Sequence, residues 1–393
     1  MTPCTNEVLC FCLCVVLLSG CSSGASPAAL RKPAAGADGA HHVYAGEDIQ
    51  AAIESAAKDP VQKTVRVHAG TYRPQVPGQA LIWFNKSHDG VTLEAEGEVI
   101  LTAANEGVAD KSAGSYPAIV NHVIYFGDGV TERTIIRGFT VTGANNFVTR
   151  LEGRQSIQPD CELSELQKDL FFYADGGGIK VFGRSYPAIL NMTIAENYTS
   201  PCGAGISIEH RGFQERAVTI KNCIFRNNRC QITGSAVDVL PGSSAVISNC
   251  LFVGNVSNTG INYVGGTENP YNEEHGSGAL TVFPGAHVKV DRCTFTGNWN
   301  GADDKGIGNV YADSIYWMNT RAGGISPGSR YELDILDGQN VNGCFFHGAI
   351  GDLRRTISSS SNTFEAPDPD FDELFRPRAR EYAKAGYRPD IKE

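Results

Sequence analysis

The sequence has few charged residues and lacks several motifs that mark large functional classes. Only 19% of its 393 residues are charged, the formal net charge at pH 7 is -10, and no stripe of Lys and Arg is present, which argues against a nucleic-acid partner. No phosphate-binding loop, nucleophile elbow or His-Glu-x-x-His motif occurs, so no motif supports nucleotide, serine-hydrolase or zinc-protease chemistry. No Cys-x-x-Cys occurs among the 12 cysteines, which argues against a cysteine-bound metal.

What the chain has instead is a repeated phrase, Asn-Cys-x-Phe-x-x-Asn or a close variant of it. The copies lie at 222–228, 249–255 and 292–298, with a looser copy at 191–197. Repetition at this period predicts stacked supersecondary units that bury their faces against their neighbours. The units alternate with a period of two, are rich in Val, Ile and Phe, and are separated by Gly, Asn and Ser. We therefore expect short strands and turns, not helices.

The repeated positions predict ladders of equivalent side chains along the stack. Cysteines recur at one position, where we expect them to face inward and pack as small apolar groups: Cys223, Cys250, Cys293 and Cys344. Asparagines recur at another, where each suits a turn and can bond the next one in the stack: Asn197, Asn228, Asn255 and Asn298. The sequence leaves open a disulfide between two of the cysteines outside the ladder, which are Cys161, Cys202 and Cys230.

The N-terminal part of the chain carries a second pattern. Apolar residues at 49, 52, 53 and 56 have helical spacing, and the alternating segment Thr64–Tyr72 follows. This helix and strand resemble the N-terminal cap and first coil of right-handed parallel β-helix proteins, a group that includes pectate lyases and pectin methylesterases. With the repeats, the resemblance covers about residues 43–364. It implies an all-β fold, a single-stranded right-handed parallel β-helix (β-solenoid) with a short N-terminal cap helix, over residues 43–366.

The first residues read as a targeting segment. The apolar run Val8–Leu18 is too short for a typical spanning helix. It ends in Leu18-Ser19-Gly20-Cys21, which resembles the lipobox of bacterial lipoproteins. The resemblance implies a signal peptide over 1–20, then a lipid-bearing Cys21 and a flexible tether over 21–42. The protein would then be exported and anchored to a membrane of the bacterial cell envelope; an ordinary secretory signal is the alternative.

Three segments break the repeat. Two long insertions, 146–175 and 257–275, lead into strands of the same class, so we expect them to emerge at one edge of the helix and wall a cleft. The C-terminal segment 367–393 is charged and unrepeated. We expect it to cap the last coils or to lie along them, because an open coil end exposes strand edges.

The short strands also predict an outward column. In each strand the flanking apolar residues should face inward and the middle residue outward. On successive coils, about 4.8 Å apart, these middle residues are Trp83, Tyr125, Lys180, Ser207, Asp238, Thr281 and Asp334. Three residues that follow one strand could lean over the same face: Glu209, His210 and Arg211. A polar strip that is merely solvated is the alternative interpretation.

The members of the column suggest roles in carbohydrate recognition. Aromatic rings at one end suit stacking on sugars, and small hydroxyls suit hydrogen bonding to them. The candidate substrate-binding residues are therefore Trp83, Tyr125, Ser207 and Thr281. The candidate catalytic residues are Lys180, Asp238, His210, Arg211 and Glu209.

Two kinds of polysaccharide cleavage fit these charged residues. In a β-elimination lyase, a base removes a proton beside a uronate carboxylate and a cation neutralises that carboxylate; the candidates are Lys180, His210 and Arg211. Ca²⁺ is a possible second cation, with oxygen ligands among Asp175, Asp238, Asp303 and Asp304, although no compact cluster of three acids lies on adjacent coils. A glycoside hydrolase needs paired carboxylates roughly 5–9.5 Å apart, for which Glu209 and Asp238 are the candidates.

The sequence thus predicts an exported cell-surface β-helix protein that binds or cleaves an extracellular polysaccharide, with lyase-like chemistry as the leading hypothesis. A glycoside hydrolase is one alternative. A non-catalytic surface solenoid for adhesion or carbohydrate binding is another, because β-helices host all of these roles. The expected partners are the polysaccharide and, through the lipid anchor, a membrane. We expect a monomer and assign no metal-binding residues, while Ca²⁺ stays a possible cofactor.

Overall fold

Parallel strands dominate the computed structural model, which describes residues 36, 38–146, 175–199, 202–257, 278–319, 331–347 and 357–389. One α-helix occurs in this part of the chain, α1 Ile49–Lys58, with short 3-10 turns at Lys86–His88 and Arg380–Tyr382. The strands are, in chain order, β1 Ala40–Val43, β2 Thr64–Tyr72, β3 Gly78–Phe84, β4 Thr92–Thr102, β5 Val120–Phe126, β6 Ile135–Arg137, β7 Thr140–Thr142, β8 Asn145–Asn146, β9 Ile179–Phe182, β10 Ala188–Leu190, β11 Thr193–Ala195, β12 Tyr198–Thr199, β13 Ile206–Glu209, β14 Val218–Lys221, β15 Ile224–Arg226, β16 Arg229–Cys230, β17 Val237–Val239, β18 Ser244–Ser248, β19 Leu251–Val253, β20 Leu280–Val282, β21 His287–Asp291, β22 Thr294–Thr296, β23 Ala302–Asp304, β24 Val310–Ala312, β25 Ile315–Trp317, β26 Leu333–Ile335, β27 Val341–Asn342 and β28 Phe345–Phe346.

The strands stack coil upon coil. Each coil gives one strand to an eight-stranded sheet, called the front sheet here, which contains β3, β5, β9, β13, β17, β20, β23 and β26. Two further strands of each coil, such as β14 and β15, join a 17-stranded sheet, and β8, β12 and β16 form a three-stranded one. Neighbouring coils pair in parallel, as in β13 with β17 and β14 with β18. This arrangement confirms the all-β parallel β-helix predicted from the repeats.

The N-terminal helix α1 forms where the apolar spacing predicted it. Its buried residues are Ile49, Ala52, Ile53 and Ala56, and they form one face of the helix. Asp48 caps the helix by accepting a hydrogen bond from the backbone N–H of Ala51 at 3.2 Å. The helix packs on β1, β2 and β3, at the start of the stack.

Interior side chains stack in register from coil to coil. The rings of Phe225, Phe252, Phe295, Tyr316 and Phe346 lie parallel, with successive centroids 4.8, 4.3, 4.8 and 5.1 Å apart. This offset stacking adds to the burial of the rings. The predicted cysteine ladder faces the same interior as free, fully buried thiols. Cys202 and Cys230 are free thiols too, so they form no disulfide with each other; Cys161 lies outside the described residues.

A second interior stack is made of amides, and it is called the asparagine ladder here. It contains the four predicted asparagines, then Asn319, and it ends at Glu332. Each side-chain amide donates to the carbonyl oxygen of the next, at 3.1, 3.0, 2.9 and 2.8 Å along the stack. Each also donates to a backbone carbonyl, as Asn255 does to Phe225 at 2.9 Å. The buried amides are therefore satisfied within the stack.

The first asparagine of the repeated phrase has a different role from the last. Asn191, Asn222 and Asn249 adopt positive φ angles of 54°, 57° and 50°. This left-handed turn conformation is one that asparagine tolerates better than most residues. Their side chains bond one another on the outside of the stack, at 3.0 Å from Asn222 to Asn191 and 2.8 Å from Asn249 to Asn222.

The C-terminal segment lies along the outside of the last coils. Tyr382 and Ala385 pack with Ile315 of β25 in a small apolar cluster. The backbone N–H of Tyr387 donates to the Thr294 hydroxyl at 2.8 Å. Arg388 then exchanges two hydrogen bonds with the Asn249 side chain, each 2.7 Å long. The segment therefore covers outward-facing residues of β22 and β25, such as Thr294 and Ile315.

The segments that carry the targeting and cleft predictions lie mostly outside the described residues. These are residues 1–35, which include Cys21, and most of the two insertions. Within the described ranges, no helix is long and apolar enough to cross a membrane.

Candidate functional site

The front sheet brings the column residues into one register. Trp83 pairs with Tyr125, Tyr125 with Lys180, and Lys180 with Ser207. Ser207 pairs with Asp238, and Asp238 with Thr281. The column then continues through Asp303 to Asp334. These eight residues are called the front column below.

Asp303 is the member of the front column that the repeats did not reveal. It belongs to a short coil whose Cys position is taken by Ser314 and whose front strand is Ala302-Asp303-Asp304. Asn319 could have revealed this coil in the sequence, because it follows Asn298 at the spacing of a complete short coil. Its side-chain oxygen accepts a hydrogen bond from the Asn298 amide at 2.8 Å.

The middle of the front column is closed to solvent. Lys180 is 2% exposed, and Ser207, Asp238 and Thr281 are 0% exposed. These side chains are therefore not a solvated polar strip. Strand alternation assigned them to the outer face of the sheet, but it carries no information about what packs on that face. Their burial matters because a charge removed from water needs a compensating partner.

Lys180 is the centre of a charged group. Its ammonium lies 2.8 Å from a carboxylate oxygen of Glu209, 3.2 Å from the Ser207 hydroxyl and 3.9 Å from Asp175. Asp238 interacts with it electrostatically from the next coil but one. We call Asp175, Lys180, Ser207, Glu209 and Asp238 the Lys180 cluster.

The carboxylates hold the proton on Lys180. Burial alone would lower the pKa of this lysine, but the charges of Glu209, Asp175 and Asp238 outweigh burial and raise the pKa above its ordinary value. A lysine that acts as a general base needs a lowered pKa. The geometry therefore makes Lys180 a fixed cation and does not favour it as the base of an elimination.

Two carboxyls of the cluster have raised pKa values. Burial raises the pKa of Asp175 to about 6, although the positive charge of Lys180 opposes this. Burial raises the pKa of Asp238 well above its ordinary value, and the charge of Asp175 adds to the effect. Burial therefore favours the protonated form of Asp238, while Asp175, with a pKa of about 6, is mostly ionised at neutral pH. Ser207 lies beside Asp238, but no donor among the described residues has full hydrogen-bond geometry to either Asp238 oxygen.

Glycine makes room for the Asp238 carboxyl. Gly203 has a φ of +61°, and a Cβ atom at this position would lie 2.2 Å from Oδ1 of Asp238. Gly234, at φ +65°, approaches the Cβ of Asp238 in the same way. Both the turn conformation and the close approach therefore require glycine. Glycines before other front strands are packed just as closely, since a Cβ at Gly178 or Gly205 would lie 2.5 or 2.3 Å from a backbone oxygen of the next coil.

His210 and Arg211, two of the predicted catalytic residues, lie outside the Lys180 cluster or at its edge. His210 is fully buried, and its ring is engaged on both sides: Nδ1 accepts from the Ser244 backbone N–H at 3.2 Å, and Nε2 lies 3.0 Å from the Ser185 carbonyl oxygen. Burial lowers the pKa of His210 to about 4, so the ring is neutral. Arg211 reaches the edge of the cluster, where it pairs with Glu209 at 3.1 Å.

The aromatic end of the front column is partly open. The Trp83 ring is half-buried and meets the ring of His88 edge to face, with centroids 5.0 Å apart. Tyr125 is 7% exposed. The Trp83 backbone is held by Gln50 of α1 through bonds of 3.0 and 3.2 Å. The cap helix thus fixes the position of this end of the column.

The other end of the front column holds a second ion group. The Lys305 ammonium lies 2.9 Å from Asp303 and 2.9 Å from Asp334, and the Tyr331 hydroxyl donates to Asp303. Thr281 separates this group from the Lys180 cluster and bonds the Thr233 hydroxyl at 2.8 Å. Charged residues therefore occur on both sides of one uncharged coil.

Asp303 and Asp304 cannot act as a pair of acids. They are neighbours in one strand, so their side chains point to opposite faces. Asp304 occupies the interior position of Val282 and Ile335, where it accepts hydrogen bonds from Tyr311 at 2.8 Å and from Asn309. The Lys180 cluster likewise surrounds an ammonium group where a calcium site would need space for the metal, so this geometry does not favour Ca²⁺ there.

A comparison with known families gives one match. Residues 134–274 match the family model described as the right handed beta helix region. No curated protein and no solved structure matches the chain. The matched segment contains three of the eight front strands, and the same parallel pairing continues on both sides of it. The match suggests a carbohydrate-related protein, and the fold is established: the chain is a right-handed parallel β-helix protein.

Proposed function

We propose that the protein binds a polysaccharide along the front column and cleaves it with the carboxyl groups of the Lys180 cluster. The observation that carries the proposal is the pair of raised pKa values. Burial raises the pKa of Asp238 and favours its protonated form, whereas Asp175, with a pKa of about 6, mostly loses its proton at neutral pH. Two carboxyls held in different protonation states are what acid–base cleavage of a glycosidic bond requires.

Hydrolysis is the reaction class that these groups support best. Asp238 donates its proton to the glycosidic oxygen as the bond to the anomeric carbon breaks. Asp175 takes a proton from a water molecule, whose oxygen bonds to that carbon. Asp175 and Asp238 belong to coils that are two steps apart, with one coil between them, so their backbones lie roughly 10 Å apart along the stack. Inverting enzymes hold their two carboxyl groups about 6.5–9.5 Å apart, and this backbone spacing is close to that range. The partly open Trp83 offers a ring on which a sugar can stack.

Elimination remains the alternative cleavage reaction. In that reaction Lys180 would neutralise the uronate carboxylate, because its raised pKa keeps it charged. A carboxylate would then have to serve as the base. The product distinguishes the two reactions, since elimination leaves an unsaturated sugar that absorbs ultraviolet light and hydrolysis does not.

A non-catalytic solenoid is the second candidate function, and one observation favours it. Lys180 and Asp238 are closed to solvent, and the ammonium is fully surrounded by partners. A buried ion group of this kind can also serve to fix the register of the coils. Binding would then take place at the aromatic end of the column, without cleavage.

The decisive experiment is a screen of the purified full chain against uronate-containing and neutral polysaccharides. Reducing ends would report cleavage, and ultraviolet absorbance would report elimination. We expect new reducing ends without absorbance, and a loss of at least about 100-fold in rate for Asp238→Asn. The matched control is Asp291→Asn, the same substitution on β21 outside the front sheet. Full activity of Asp238→Asn would contradict the assignment, and glycan binding without any product would favour the non-catalytic solenoid.

We also propose that the protein is exported and anchored by lipid on Cys21. The support is the Leu18-Ser19-Gly20-Cys21 sequence after a short apolar run. Expression in a bacterial host followed by fractionation tests this, and we expect the wild-type chain in the membrane fraction and Cys21→Ser in the soluble one. A Cys21→Ser variant that stays with the membranes would contradict lipid anchoring at this residue.

A further inference from the structure

The first coils of the stack carry a cluster of metal-ligating side chains that is separate from the Lys180 cluster. His42 lies on β1, His68 on β2 and Glu96 on β4, three strands that pair in parallel. His68 and Glu96 are direct partners in the sheet. One ring nitrogen of each histidine and one oxygen of Glu96 lie within 4.8 Å of one another. We call these three residues the first-coil cluster.

The side chains of these three residues are only partly hydrogen-bonded to one another. Nδ1 of His42 lies 2.7 Å from Nε2 of His68, a hydrogen-bond distance. Oε2 of Glu96, however, lies 3.6 Å from Nδ1 of His68, which is longer than a hydrogen bond. The Glu96 carboxylate therefore approaches the ring without bonding it. The side chains of His42, His68 and Glu96 are 19%, 23% and 55% exposed, so an ion can reach them from solvent.

Asp38 orients one of the two rings. Its carboxylate lies 2.8 Å from Nε2 of His42, which places the ring proton on that nitrogen. The lone pair on Nδ1 then points towards His68. Histidines that bind metals usually donate their second N–H to a carboxylate in this way. The guanidinium of Arg66 is paired with Asp38 at 2.7 Å and with Glu94 at 2.8 Å, and it also lies 3.7 Å from Oε2 of Glu96.

We propose that the first-coil cluster binds a divalent transition-metal ion, with Zn²⁺ the first to test. Two imidazole nitrogens and one carboxylate oxygen suit Zn²⁺, Ni²⁺ or Cu²⁺, whereas Ca²⁺ and Mg²⁺ prefer oxygen ligands throughout. Three protein ligands leave a fourth position for water. Zinc binds imidazole nitrogen at about 2.0–2.1 Å, so the two rings would move apart by less than about 1 Å to admit it.

The position of the cluster gives the ion a structural effect. Among the described strands, β1 pairs with β2 alone and is the first strand of its sheet. A metal bound to His42, His68 and Glu96 would tie β1 to β2 and β4. Because a ligand that binds only the folded state stabilises it, zinc should protect the first coils against unfolding. This inference is independent of polysaccharide cleavage at the Lys180 cluster.

Calorimetric titration of the metal-free, tag-free full chain with ZnCl₂ tests the proposal. We expect one site with a dissociation constant in the micromolar range. His42→Ala and His68→Ala should each weaken binding at least about 100-fold, and Asp38→Asn by about 10-fold. The matched control is His287→Ala on β21, an exposed histidine that should leave binding unchanged. Circular dichroism of each variant would verify that the coils are folded.

A second readout does not depend on heat. Co²⁺ in place of Zn²⁺ should give visible absorption bands from two nitrogens and one carboxylate, and both histidine variants should lose them. Zinc should raise the melting temperature of the wild-type chain by a few degrees and leave that of His42→Ala unchanged. Absence of zinc binding at millimolar concentration would overturn the proposal. Binding that persists in both folded histidine variants would overturn it as well.

Discussion

The asparagine ladder and the front column are both buried polar stacks that run along the same solenoid, yet they differ in how their polar atoms are satisfied. In the ladder, each amide of one coil meets a matching amide of the next at 2.8–3.1 Å. In the front column, acids, a lysine and hydroxyls occur together, and neither oxygen of Asp238 has a full hydrogen bond from any residue that the structure describes. Identical amides can satisfy one another's hydrogen bonds along a stack, whereas the different residue types of the front column leave the Asp238 oxygens without such a partner among the described residues.

The comparison separates scaffold from site. A stack whose members are all paired stabilises the coils and needs nothing from outside. A buried carboxyl with an unmet hydrogen-bonding capacity and a raised pKa costs stability, and such costs concentrate at functional sites. This difference supports the proposed site in the front column and a structural role for the asparagine ladder.

The largest expected effect comes from breaking the ladder at its centre. Asn255→Ala removes an acceptor for the Asn228 backbone and amide N–H groups, and a donor to Phe225 and Asn298. Since each buried unpaired group costs about 1–3 kcal/mol, the free energy of unfolding should fall by about 5 kcal/mol. Urea unfolding measures this. Asn340→Ala on the exposed surface is the control and should change little; a small loss for Asn255→Ala would contradict the role of the ladder.

The next effect comes from the centre of the front column. Lys180→Met leaves Glu209 and Asp175 buried without their cation, and breaking a buried ion pair from one side costs about 3–5 kcal/mol. We expect a loss of about 4 kcal/mol in urea unfolding at pH 7. The loss should shrink at pH 4, where Asp175 can take up a proton. A stability unchanged at both pH values would show that the ions are not coupled.

The pH dependence of stability sharpens the same comparison. The folded pKa of Asp175, about 6, exceeds the ordinary value of 3.8. The folded state therefore holds this proton more tightly, so the contribution is fully present below about pH 4 and is lost as the pH rises through 6. Relative to Asp175→Asn, the wild-type chain should lose about 3 kcal/mol between pH 4 and pH 8. Thr281→Val, which removes no ionisable group, should keep the wild-type slope; a flat difference for Asp175→Asn would refute the shift.

The smallest effect is expected on the outside of the stack. Asn222→Gly removes the exposed amide bonds to Asn191 and Asn249 but keeps the left-handed turn available. An exposed hydrogen bond contributes only about 0.5–1.5 kcal/mol, so the loss should be about 1 kcal/mol or less in urea unfolding. Asn222→Val should cost more, because a branched residue resists positive φ. A loss for Asn222→Gly as large as that for Asn255→Ala would remove the distinction between the two ladders.

The sequence predicted the stacks well because each repeats at whole-coil spacing. The cysteines and asparagines set the register, and the register placed Lys180, Ser207 and Asp238 on adjacent strands of one sheet. Strand alternation then indicates on which face of the sheet each of these side chains lies. Asp303 was missed because its coil lacks the repeated cysteine and has an acidic front strand.

The sequence did not predict which groups surround the front column. It did not predict the first-coil cluster either. Alternation shows which side of a strand a residue occupies, but the pKa of Lys180 depends on how closely Glu209 and Asp175 surround it. The first-coil cluster has no motif spacing, since His42, His68 and Glu96 come from three separate strands. Their proximity depends on the pairing of β1, β2 and β4, which sequence patterns near the end of a stack do not specify.

The asparagine ladder has a direction. Each amide donates to the oxygen of the next asparagine towards the C-terminal end and accepts from the preceding one, so the amide-to-amide hydrogen bonds all run the same way along the stack. The line stops at Glu332, which accepts from Asn319 but has no N–H to pass on. An engineered coil with its own asparagine could therefore extend the line before Asn197, whereas growth beyond Glu332 would first require that residue to be replaced by an amide.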